Sequence, residues 1–177
     1  MNGNDASNTN TSYVQTLCSI RDSSDIEHWA VINDGVMGGR SQSTLKALPA
    51  GAIFSGTVSA ENGGGFASVR TTLSNPTAPA GRAISVRVRG DGKIYQFRIR
   101  TDPRRDAPAY KYAFTTEPGV WKELVMPLGE FQASFRGRSV ADAAALVESA
   151  AIQQVGFLIA EKQFGAFKLE FDDIKLV

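Results

Sequence analysis

A chain of 177 residues is long enough for one domain with its own hydrophobic core. Nineteen basic and eighteen acidic residues leave a formal net charge of +1, which excludes the strong overall field of a dedicated nucleic-acid binder. A single cysteine, Cys18, and a single histidine, His28, exclude a disulfide framework and zinc sites built from several cysteines.

The first residues predict a tail before the domain. Residues 1–17 are rich in Asn, Ser and Thr, so we expect them to be disordered or loosely attached, and residues 18–177 to form a single domain. Residues 14–20 can alternatively form a short edge strand. There is no apolar run of membrane-spanning length and no signal-peptide pattern, so we expect a cytoplasmic protein without a transmembrane segment. A targeting segment removed before residue 1 would leave no trace.

Residues 29–41, WAVINDGVMGGRS, are predicted to form a short strand that runs into a tightly folded turn. Asn33 and Asp34 can hydrogen-bond their own backbone, and Gly35, Gly38 and Gly39 reach left-handed dihedral angles without steric cost. A two-residue hairpin would need only the Asp-Gly pair, so the extra glycines indicate that another group packs close to this backbone. We expect that group to belong to the same domain, with a bound ligand as the less favoured alternative.

Most of the remaining chain reads as short β-strands separated by Gly, Pro, Asn or Asp, which is typical of a sandwich or barrel. The predicted strands cover residues 43–47, 52–59, 66–73, 83–89, 94–101, 110–116, 120–126, 154–160 and 167–177. Two helical segments interrupt them: one turn capped by residues 23–25, and an alanine-rich helix over residues 139–151 with Ser139 and Asp142 in capping positions. The predicted fold class is all-β with one short helix.

The strongest alternation lies in residues 83–101, which predict a hairpin around the turn at residues 90–92 with one face in the core. The other face of this hairpin carries four arginines: Arg87, Arg89, Arg98 and Arg100. Because like charges on paired strands repel, these arginines require counter-charges, for which Glu123, Glu170 and Asp172 are candidates. An ion-pair ladder is the favoured interpretation. An anion-binding or protein-binding face is the alternative, since the guanidinium fork binds carboxylate or phosphate.

Three further arginines are predicted on ordered loops. Arg70 follows a glycine-rich run, and Arg136 and Arg138 lie on a loop that Phe131 and Phe135 are expected to anchor in the core. Arginines held on ordered loops are better candidates for binding than arginines on the face of a strand.

Few residues are available for catalysis. With His28 as the only histidine, the chain lacks a Ser-His-Asp set and a histidine-rich metal site. Asp172 and Asp173 are neighbours in a predicted strand and should face opposite sides, so they are not expected to act as a pair. We expect no enzyme activity, no cofactor and no metal, apart from a weakly supported structural calcium near Asp22, Asp25 and Asp173.

Several motifs, taken in order, resemble one known family. They are residues 33–39 (NDGVMGG) with Ser41, residues 64–70 (GGFASVR), residues 89–92 (RGDG) with Tyr95, Trp121 before Pro127, residues 135–138 (FRGR), Gly156 with Phe157, and Gly165 with Phe167. From about residue 23 to residue 177, the chain resembles the domain of the complex I intermediate-associated protein family, which is named for a mitochondrial assembly factor of NADH:ubiquinone oxidoreductase.

The resemblance implies a galactose-binding-domain-like jelly roll of two antiparallel sheets, similar in architecture to carbohydrate-binding modules. It also implies a non-catalytic assembly or chaperone-like factor with protein partners, such as respiratory complex I subunits or assembly intermediates. Without an Arg-rich presequence, the chain looks like a bacterial stand-alone member. A sugar-binding platform would have to use Tyr95, Tyr110 or Tyr112, because Trp29 and Trp121 are expected in the core.

Two functions from different classes therefore stay open. The first is an interaction module that binds protein through its rim loops and arginine face, and the second is a module that binds carbohydrate or a small anion. The candidate binding residues are Asp34, Arg70, Arg87, Arg89, Asp91, Tyr95, Arg98, Arg100, Arg136 and Arg138. The residues expected to have a structural role in turns are Asn33, Gly35, Gly38, Gly39, Gly64 and Gly65.

Overall fold

The computed structural model describes residues 14–79, 83–104, 106–146 and 150–177. Within these ranges the chain consists mainly of β-strands joined by turns and short 3₁₀ helices. The strands are β1 (Gln15–Cys18), β2 (Trp29–Asn33), β3 (Gln42–Ala47), β4 (Ala52–Val58), β5 (Ala67–Thr77), β6 (Ala83–Arg89), β7 (Ile94–Arg100), β8 (Ala109–Thr115), β9 (Trp121–Pro127), β10 (Gln132–Phe135), β11 (Arg138–Ser139), β12 (Ile152–Ile159), β13 (Gly165–Phe171) and β14 (Ile174–Leu176). The 3₁₀ helices include Ser23–Ile26, Asp34–Met37, Glu61–Gly63 and Leu128–Glu130.

The strands form two seven-stranded sheets that pack face to face. Sheet 1 has the order β1-β14-β6-β13-β4-β3, with β9 paired to β6, and sheet 2 has the order β11-β10-β8-β7-β12-β5-β2. The paired strands of the described residues run antiparallel. The predicted all-β jelly roll of two antiparallel sheets is confirmed.

The core follows from alternation along the strands, which places every second side chain between the sheets. On β7, Tyr95, Phe97 and Ile99 have no exposed surface. Rings from both sheets meet there: the centroid of Phe157 in sheet 2 lies 4.5 Å from that of Phe171 in sheet 1. Burial of each such side chain contributes roughly 1.5–3 kcal/mol, so this aromatic layer is a main source of stability.

The predicted hairpin over residues 83–101 is wrong. β6 belongs to sheet 1 and β7 belongs to sheet 2, so residues 90–93 carry the chain from one sheet to the other. The alternation within each strand is as predicted, but a Gly-Asp-Gly segment fits a crossing between sheets as well as a hairpin. The pairing partner of a strand is decided by packing between distant segments, which local sequence does not contain.

The helix predicted over residues 139–151 is not observed in the described part of that segment. Ser139 belongs to β11, residues 140–145 form turns and irregular structure, and residues 147–149 lie outside the described residues. The carbonyl of Ala144 accepts a hydrogen bond from the Tyr110 hydroxyl at 2.8 Å. Because a short alanine-rich segment has little helical stability of its own, contacts with the sandwich decide its conformation.

The predicted tail over residues 1–17 is too long. Gln15–Cys18 forms β1, which pairs with β14 at the edge of sheet 1, in agreement with the alternative of an edge strand. Residues 1–13 lie outside the described residues. A 3₁₀ turn follows β1, and its cap is Asp22, whose side chain accepts a hydrogen bond from the Ser24 N–H. Across the described ranges, no helix combines the length and the apolar character needed to cross a bilayer.

Candidate functional site

Asp34 is the centre of the glycine-rich turn that follows β2. It is only 1% exposed. Its Oδ1 accepts a hydrogen bond from the Ser41 N–H at 2.9 Å, and its Oδ2 accepts from the Ser41 hydroxyl at 2.5 Å, the Gly65 N–H at 2.6 Å and the Phe66 N–H at 3.2 Å. Both the β2–β3 and the β4–β5 connections cross between the sheets, so this carboxylate joins two crossings. Asp34 therefore has a structural role at this corner, and its predicted role in binding stays a prediction.

Two glycines give the Asp34 carboxylate its space. A Cβ on Gly39 would lie 2.4 Å from the Asp34 Cγ, and a Cβ on Gly64 would lie 2.5 Å from its Oδ2. The group that packs against this turn thus belongs to the same domain, which is the interpretation the sequence favoured. Gly38 ends the adjacent 3₁₀ helix with a φ of 86°, whereas Gly35 has open space around it and nothing in the structure requires a glycine there.

The surroundings of Asp34 favour its charged form. Burial raises the pKa of Asp34, but hydrogen bonds from the Ser41 hydroxyl and from backbone N–H groups outweigh burial and hold the pKa below its usual value. The adjacent Asn33 extends the network, because its Oδ1 accepts a hydrogen bond from the Ser43 hydroxyl at 2.7 Å. The folded state therefore stabilises an ionised carboxylate at this corner.

Asp91 has a similar role at the crossing from β6 to β7. Its Oδ1 accepts hydrogen bonds from the Tyr95 hydroxyl at 2.9 Å and the Lys93 N–H at 3.2 Å, and its Oδ2 accepts from the Lys168 N–H of β13 at 2.9 Å. Tyr95 is fully buried, and burial together with the Asp91 charge raises the pKa of its hydroxyl. Both candidate binding residues thus make contacts within the scaffold, and their predicted role in binding stays a prediction.

The outer face of sheet 1 carries two arginines that each have a carboxylate. Arg89 Nη2 lies 2.6 Å from Glu170 Oε2, and Arg87 Nη1 lies 3.6 Å from Asp172 Oδ2. Both guanidinium groups lie 5.1 Å from the ring centroid of Trp121, which is opposite Arg89 on β9. Trp121 is therefore on the outer face and not in the core as predicted. The predicted ion-pair ladder exists, but for only two of the four arginines.

Arg98 and Arg100 lie on the outer face of sheet 2, on the opposite side of the sandwich from the arginines of β6. The prediction of a single face with four arginines is therefore wrong, because each sheet displays two of them on its own outer side. The strand register places one row of residues side by side across β8, β7, β12 and β5, which we call the arginine row. Its members are Lys111, Arg98, Gly156 and Arg70.

Within the described part of the chain, no carboxylate forms a hydrogen bond or an ion pair with Arg98 or Arg100. Arg98 Nη1 donates to Gln96 Oε1 at 2.8 Å. Arg100 Nη2 donates to backbone carbonyls in the following loop, the nearer being that of Arg104 at 2.7 Å. Arg100 Nε is buried without a partner, and so is Oε1 of Gln154, which lies opposite Arg100 on β12. One donor and one acceptor on this face therefore form no hydrogen bond.

The charges of Arg98 and Arg100 are held in unfavourable surroundings. Burial lowers the pKa of Arg98 to about 10, and the neighbouring positive charge of Arg100 adds to this effect. Burial also lowers the pKa of Arg100, while Asp102 attracts its charge and partly opposes the shift. Arg98 remains cationic at neutral pH, since its pKa stays far above 7. A cation held in this way gains most from a carboxylate supplied from outside.

Gly156 lies at the centre of the arginine row, between Arg98 and Arg70. A Cβ on Gly156 would lie 2.1 Å from the Val69 carbonyl oxygen, so β12 approaches β5 too closely for a larger residue. Gly156 is buried although it is on the outer face, so neighbouring side chains cover it. The two arginines are two strand spacings apart, which corresponds to about 10 Å between their Cα atoms.

Arg136 and Arg138 flank the tip of the β10–β11 hairpin at the edge of sheet 2. Arg136 and Gly137 have φ values of 48° and 79°, as in a tight two-residue hairpin turn. Both arginines are exposed, and the Arg136 guanidinium lies 5.2 Å from the ring centroid of the half-buried Phe135. Phe131 is buried in the core and anchors the segment before the hairpin.

A cleft of about 370 Å³ on sheet 1 is lined by Glu123, Asp172 and Asp173, of which the first two are predicted from the sequence as counter-charges for arginine. Asp172 and Asp173 both line it, because they lie between β13 and β14 and not within a strand as predicted. Glu123, also in its wall, accepts a hydrogen bond from the Ser85 hydroxyl at 3.0 Å. Burial raises the pKa of Asp172, while its interactions with Arg87 act in the opposite direction. The carboxylates are thus engaged with donors of the scaffold.

The three aspartates considered for calcium do not converge. Asp22 and Asp25 form a capping box on the 3₁₀ helix Ser23–Ile26, whereas Asp173 accepts a hydrogen bond from the Ile20 N–H at 2.8 Å. Among the described residues, no group of three or more His, Cys, Asp or Glu side chains is arranged to hold a metal ion. The geometry of these carboxylates is therefore that of caps and turns.

A second cleft, of about 270 Å³, lies beside the Asp34 turn and was missed at the sequence level. Met37 and Phe164 line it and are 71% and 46% exposed, and the neighbouring Val36 is 75% exposed. The sequence signal for this cleft was Val36 and Met37, two apolar residues between glycines, which we interpreted only as part of the turn. Three exposed apolar side chains, Val36, Met37 and Phe164, therefore lie together at or beside this cleft.

The tyrosines considered for a sugar platform point into the sandwich. Tyr110 and Tyr112 lie opposite Ile99 and Phe97 in the register and therefore share their inward face. Trp29 packs against the core, as expected. None of the three candidate tyrosines presents a ring on an outer sheet face, so the predicted platform is not formed by these residues.

Comparison with known proteins gives one family and one fold. A family model described as "Complex I intermediate-associated protein 30 (CIA30)" matches residues 18–171. The Mus musculus protein named "Complex I intermediate-associated protein 30, mitochondrial" is 30% identical over 183 aligned residues, which cover 90% of this chain and 55% of that protein. The chain therefore spans about half the length of this curated relative.

Solved structures with a similar fold include carbohydrate-binding modules. The family 11 module of the cellulosomal cellulase Lic26A-Cel5E of Clostridium thermocellum has a TM-score of 0.72 at 17% identity, covering 93% of this chain and 94% of the module. A family 11 module from Clostridium thermocellum in complex with a β-1,3-1,4-mixed-linked tetrasaccharide has a TM-score of 0.67 at 18% identity, covering 90% and 94%. At these identities the likeness shows the fold alone. Because the family model matches most of the sequence, the chain belongs to the complex I intermediate-associated protein 30 family.

Proposed function

We propose that this protein is a non-catalytic interaction module that binds protein partners during the assembly of respiratory complex I. The observation that carries the proposal is the outer face of sheet 2, where Arg98 and Arg100 lack a carboxylate partner in the described residues. A partner that supplies one would stabilise charges that the fold leaves uncompensated. Membership in the family supports the choice of partner, since the mouse relative is named for complex I intermediates.

The form of this surface supports a macromolecular partner. Sites for small molecules are usually enclosed and mostly apolar. The two clefts described above are not lined by residues of the arginine row, so the row does not lie in either of them. An open face rich in arginine resembles the surfaces that proteins use for non-obligate association, where arginine is enriched.

The test is disruption of the gene in the organism that encodes this chain. Native gel electrophoresis should show less mature complex I and an accumulated smaller intermediate, and a tagged copy of the protein should restore assembly and co-purify complex I subunits. Unchanged levels of mature complex I, with no subunit retained by the tagged protein, would overturn the proposal.

A second candidate function is carbohydrate binding, which the fold likeness to a module that holds a mixed-linked tetrasaccharide favours. The inward direction of the candidate tyrosines weighs against it. Calorimetric titration with the same β-1,3-1,4 tetrasaccharide distinguishes the two candidates. Saturable binding of the sugar, together with normal complex I in the disrupted strain, would select the second function.

A further inference from the structure

β2 is the outermost strand of sheet 2, and one of its two edges is free. Its other edge pairs with β5, and no strand of the described chain pairs with the free edge. The Asp34 N–H donates to the carbonyl just before β5, and the Ile32 carbonyl accepts from the hydroxyl of Ser68 on β5, so alternate residues of β2 face β5. In an antiparallel pair the residues between them direct their backbone groups away. The N–H and C=O groups of Trp29 and Val31 therefore lie along the free edge.

β2 also lacks the features that protect the other edge strands of the described chain. Sheets discourage pairing between molecules by placing charges, proline, irregular register or very short strands at their edges. β3 contains Lys46, β9 contains two charged residues and Pro127, β11 has only two residues, and β1 has an irregular register against β14. β2 has the uncharged sequence WAVIN and a regular register against β5, so its free edge is open to pairing.

The exposed side chains at this edge are apolar. Ala30 is exposed and Val31 is 40% exposed, and the turn that follows β2 exposes Val36 and Met37. Single apolar residues are common on protein surfaces, but these four lie within eight positions of the chain, beside an unpaired strand edge. Burial of such side chains would add to the hydrogen bonds gained when another strand extends the sheet.

The sequence of β2 is complementary to itself. An antiparallel pairing with a two-fold axis at Val31 places Trp29 opposite Asn33 of the second copy. It also places the small Ala30 opposite the larger Ile32, and no like charges face each other. Because the backbone groups of Val31 point to the free edge, the two copies of this residue exchange a pair of hydrogen bonds at the axis.

We infer that β2 is a self-association edge, through which two copies of this protein pair antiparallel with Val31 at the two-fold axis and sheet 2 continuous across both molecules. Self-complementarity selects a second copy, because the same five residues supply both halves of the contact. Such a short edge buries less area than a standard interface, so the dimer is weak and depends on concentration. The inference goes beyond the proposed function and does not depend on it.

Sedimentation velocity at a series of protein concentrations tests the association. The wild type should change from monomer toward dimer as its concentration rises through the micromolar range. Val31→Lys sets two lysines opposite each other at the axis and should weaken the association by about tenfold or more, because like charges juxtaposed in an interface are strongly unfavourable. The matched control is Val125→Lys on the edge strand β9, where the valine is 56% exposed. This control should change the association by less than about twofold.

A mixture of two variants tests the position of the axis. Neither Val31→Lys nor Val31→Glu should associate alone, whereas an equimolar mixture of the two should form heterodimers, because opposite charges then face each other. Equal losses in Val31→Lys and Val125→Lys would overturn the assignment to β2. A mixture that stays monomeric would overturn the pairing centred on Val31.

Amide hydrogen exchange of the wild type keeps the test decisive if the variants do not fold. The Val31 N–H should exchange rapidly in dilute solution and gain protection as the concentration rises, whereas the Ile32 N–H, which faces β5, should be protected throughout. Protection of the Val31 N–H at the lowest concentration would show that the chain covers its own edge and would overturn the inference. A wild type that is monomeric at every concentration would do the same, whatever the result of the genetic test.

Discussion

The two outer faces of the sandwich hold their arginines in opposite ways. On sheet 1, Arg89 pairs with Glu170 at 2.6 Å and Arg87 lies 3.6 Å from a carboxylate of the same sheet. On sheet 2, Arg98 and Arg100 donate to amide and carbonyl oxygens. The two arginines of β6 are therefore paired with carboxylates of their own sheet, whereas the two arginines of β7 form no described ion pair with a carboxylate.

The origin of the difference is a single register position in each sheet. Arg89 lies opposite Glu170 on β13, whereas Arg98 lies opposite Gly156 on β12. Where the neighbouring strand supplies a carboxylate, the arginine contributes to the scaffold. Where it supplies a glycine, the arginine has no carboxylate opposite it and donates to a neutral amide. The content of arginine alone does not separate a structural face from a binding face.

Asp34 joins two of the crossings between the sheets, so replacing it should destabilise the whole domain and with it both outer faces. In Asp34→Ala, the donors of Ser41, Gly65 and Phe66 lose their buried acceptor. We expect a loss of about 3 kcal/mol or more in the free energy of unfolding, because several buried hydrogen bonds to one charge are broken together. Urea denaturation followed by tryptophan fluorescence measures this loss.

The pH dependence of the free energy of unfolding gives a second test of the role of Asp34. Its pKa is lower in the folded state than in the unfolded state, so its stabilisation is fully present above the unfolded value and is lost as pH falls through the folded value. The wild type should therefore lose stability below about pH 4. Asp34→Asn should start less stable at pH 7 and show a smaller decline. Equal acid sensitivity in both proteins would mean that other carboxylates control the transition.

Glu170→Gln should leave Arg89 on sheet 1 without its carboxylate partner, as Arg98 is on sheet 2. Glu170 is 6% exposed and its Oε2 accepts from both Nε and Nη2 of Arg89, so the variant leaves an uncompensated cation. We expect a loss of about 2 kcal/mol in the free energy of unfolding. The exposed Glu123→Gln on the same face is the control and should lose less than about 0.5 kcal/mol. Equal effects of the two changes would contradict the distinction between the faces.

Arg98→Met should have a small effect, in contrast to Glu170→Gln. Arg98 is partly buried without a described carboxylate, so replacing it with an apolar side chain removes an unfavourable charge. We expect the free energy of unfolding to stay within about 1 kcal/mol of the wild type, with a change toward higher stability. Thermal unfolding at neutral pH measures it. A loss beyond about 2 kcal/mol would show that Arg98 is structural.

Arg87→Gln is expected to have the smallest effect. The Arg87 side chain is 58% exposed and its ion pair with Asp172 spans 3.6 Å, so water and salt already screen the attraction. The free energy of unfolding should change by less than about 0.5 kcal/mol. Repeating the measurement at high salt should remove even this difference. A persistent larger loss would point to the stacking of Arg87 on Trp121.

The strands and the fold class followed from alternation and turn residues, because these are local properties of the chain. Which strands pair was not accessible in that way. The face shared by Arg89 and Arg98 was predicted from one continuous alternating stretch, but the crossing at residues 90–93 sends the two strands into different sheets. Arg98 and Gly156 lie opposite each other although they are 58 positions apart in the chain, and only the register of the paired strands shows this.

Other errors have the same cause. The alanine-rich segment after Ser139 has the propensity of a helix, but packing of the chain against the sandwich decides its shape. Trp121 was expected in the core, yet its strand position places it on the outer face of sheet 1, where two guanidinium groups each lie 5.1 Å from its ring centroid. The Asp34 turn was interpreted as a close backbone approach, and the approaching group proved to be the Asp34 side chain itself.

The first and last strands of the sandwich are neighbours, since β1 pairs with β14 and Gln15 lies opposite Leu176. The polypeptide consequently enters and leaves the fold at one place on the edge of sheet 1. A unit of this kind can be inserted into a surface loop of a larger host without stretching either sheet. It can also be circularly permuted by joining these two strands with a short linker and opening the chain elsewhere.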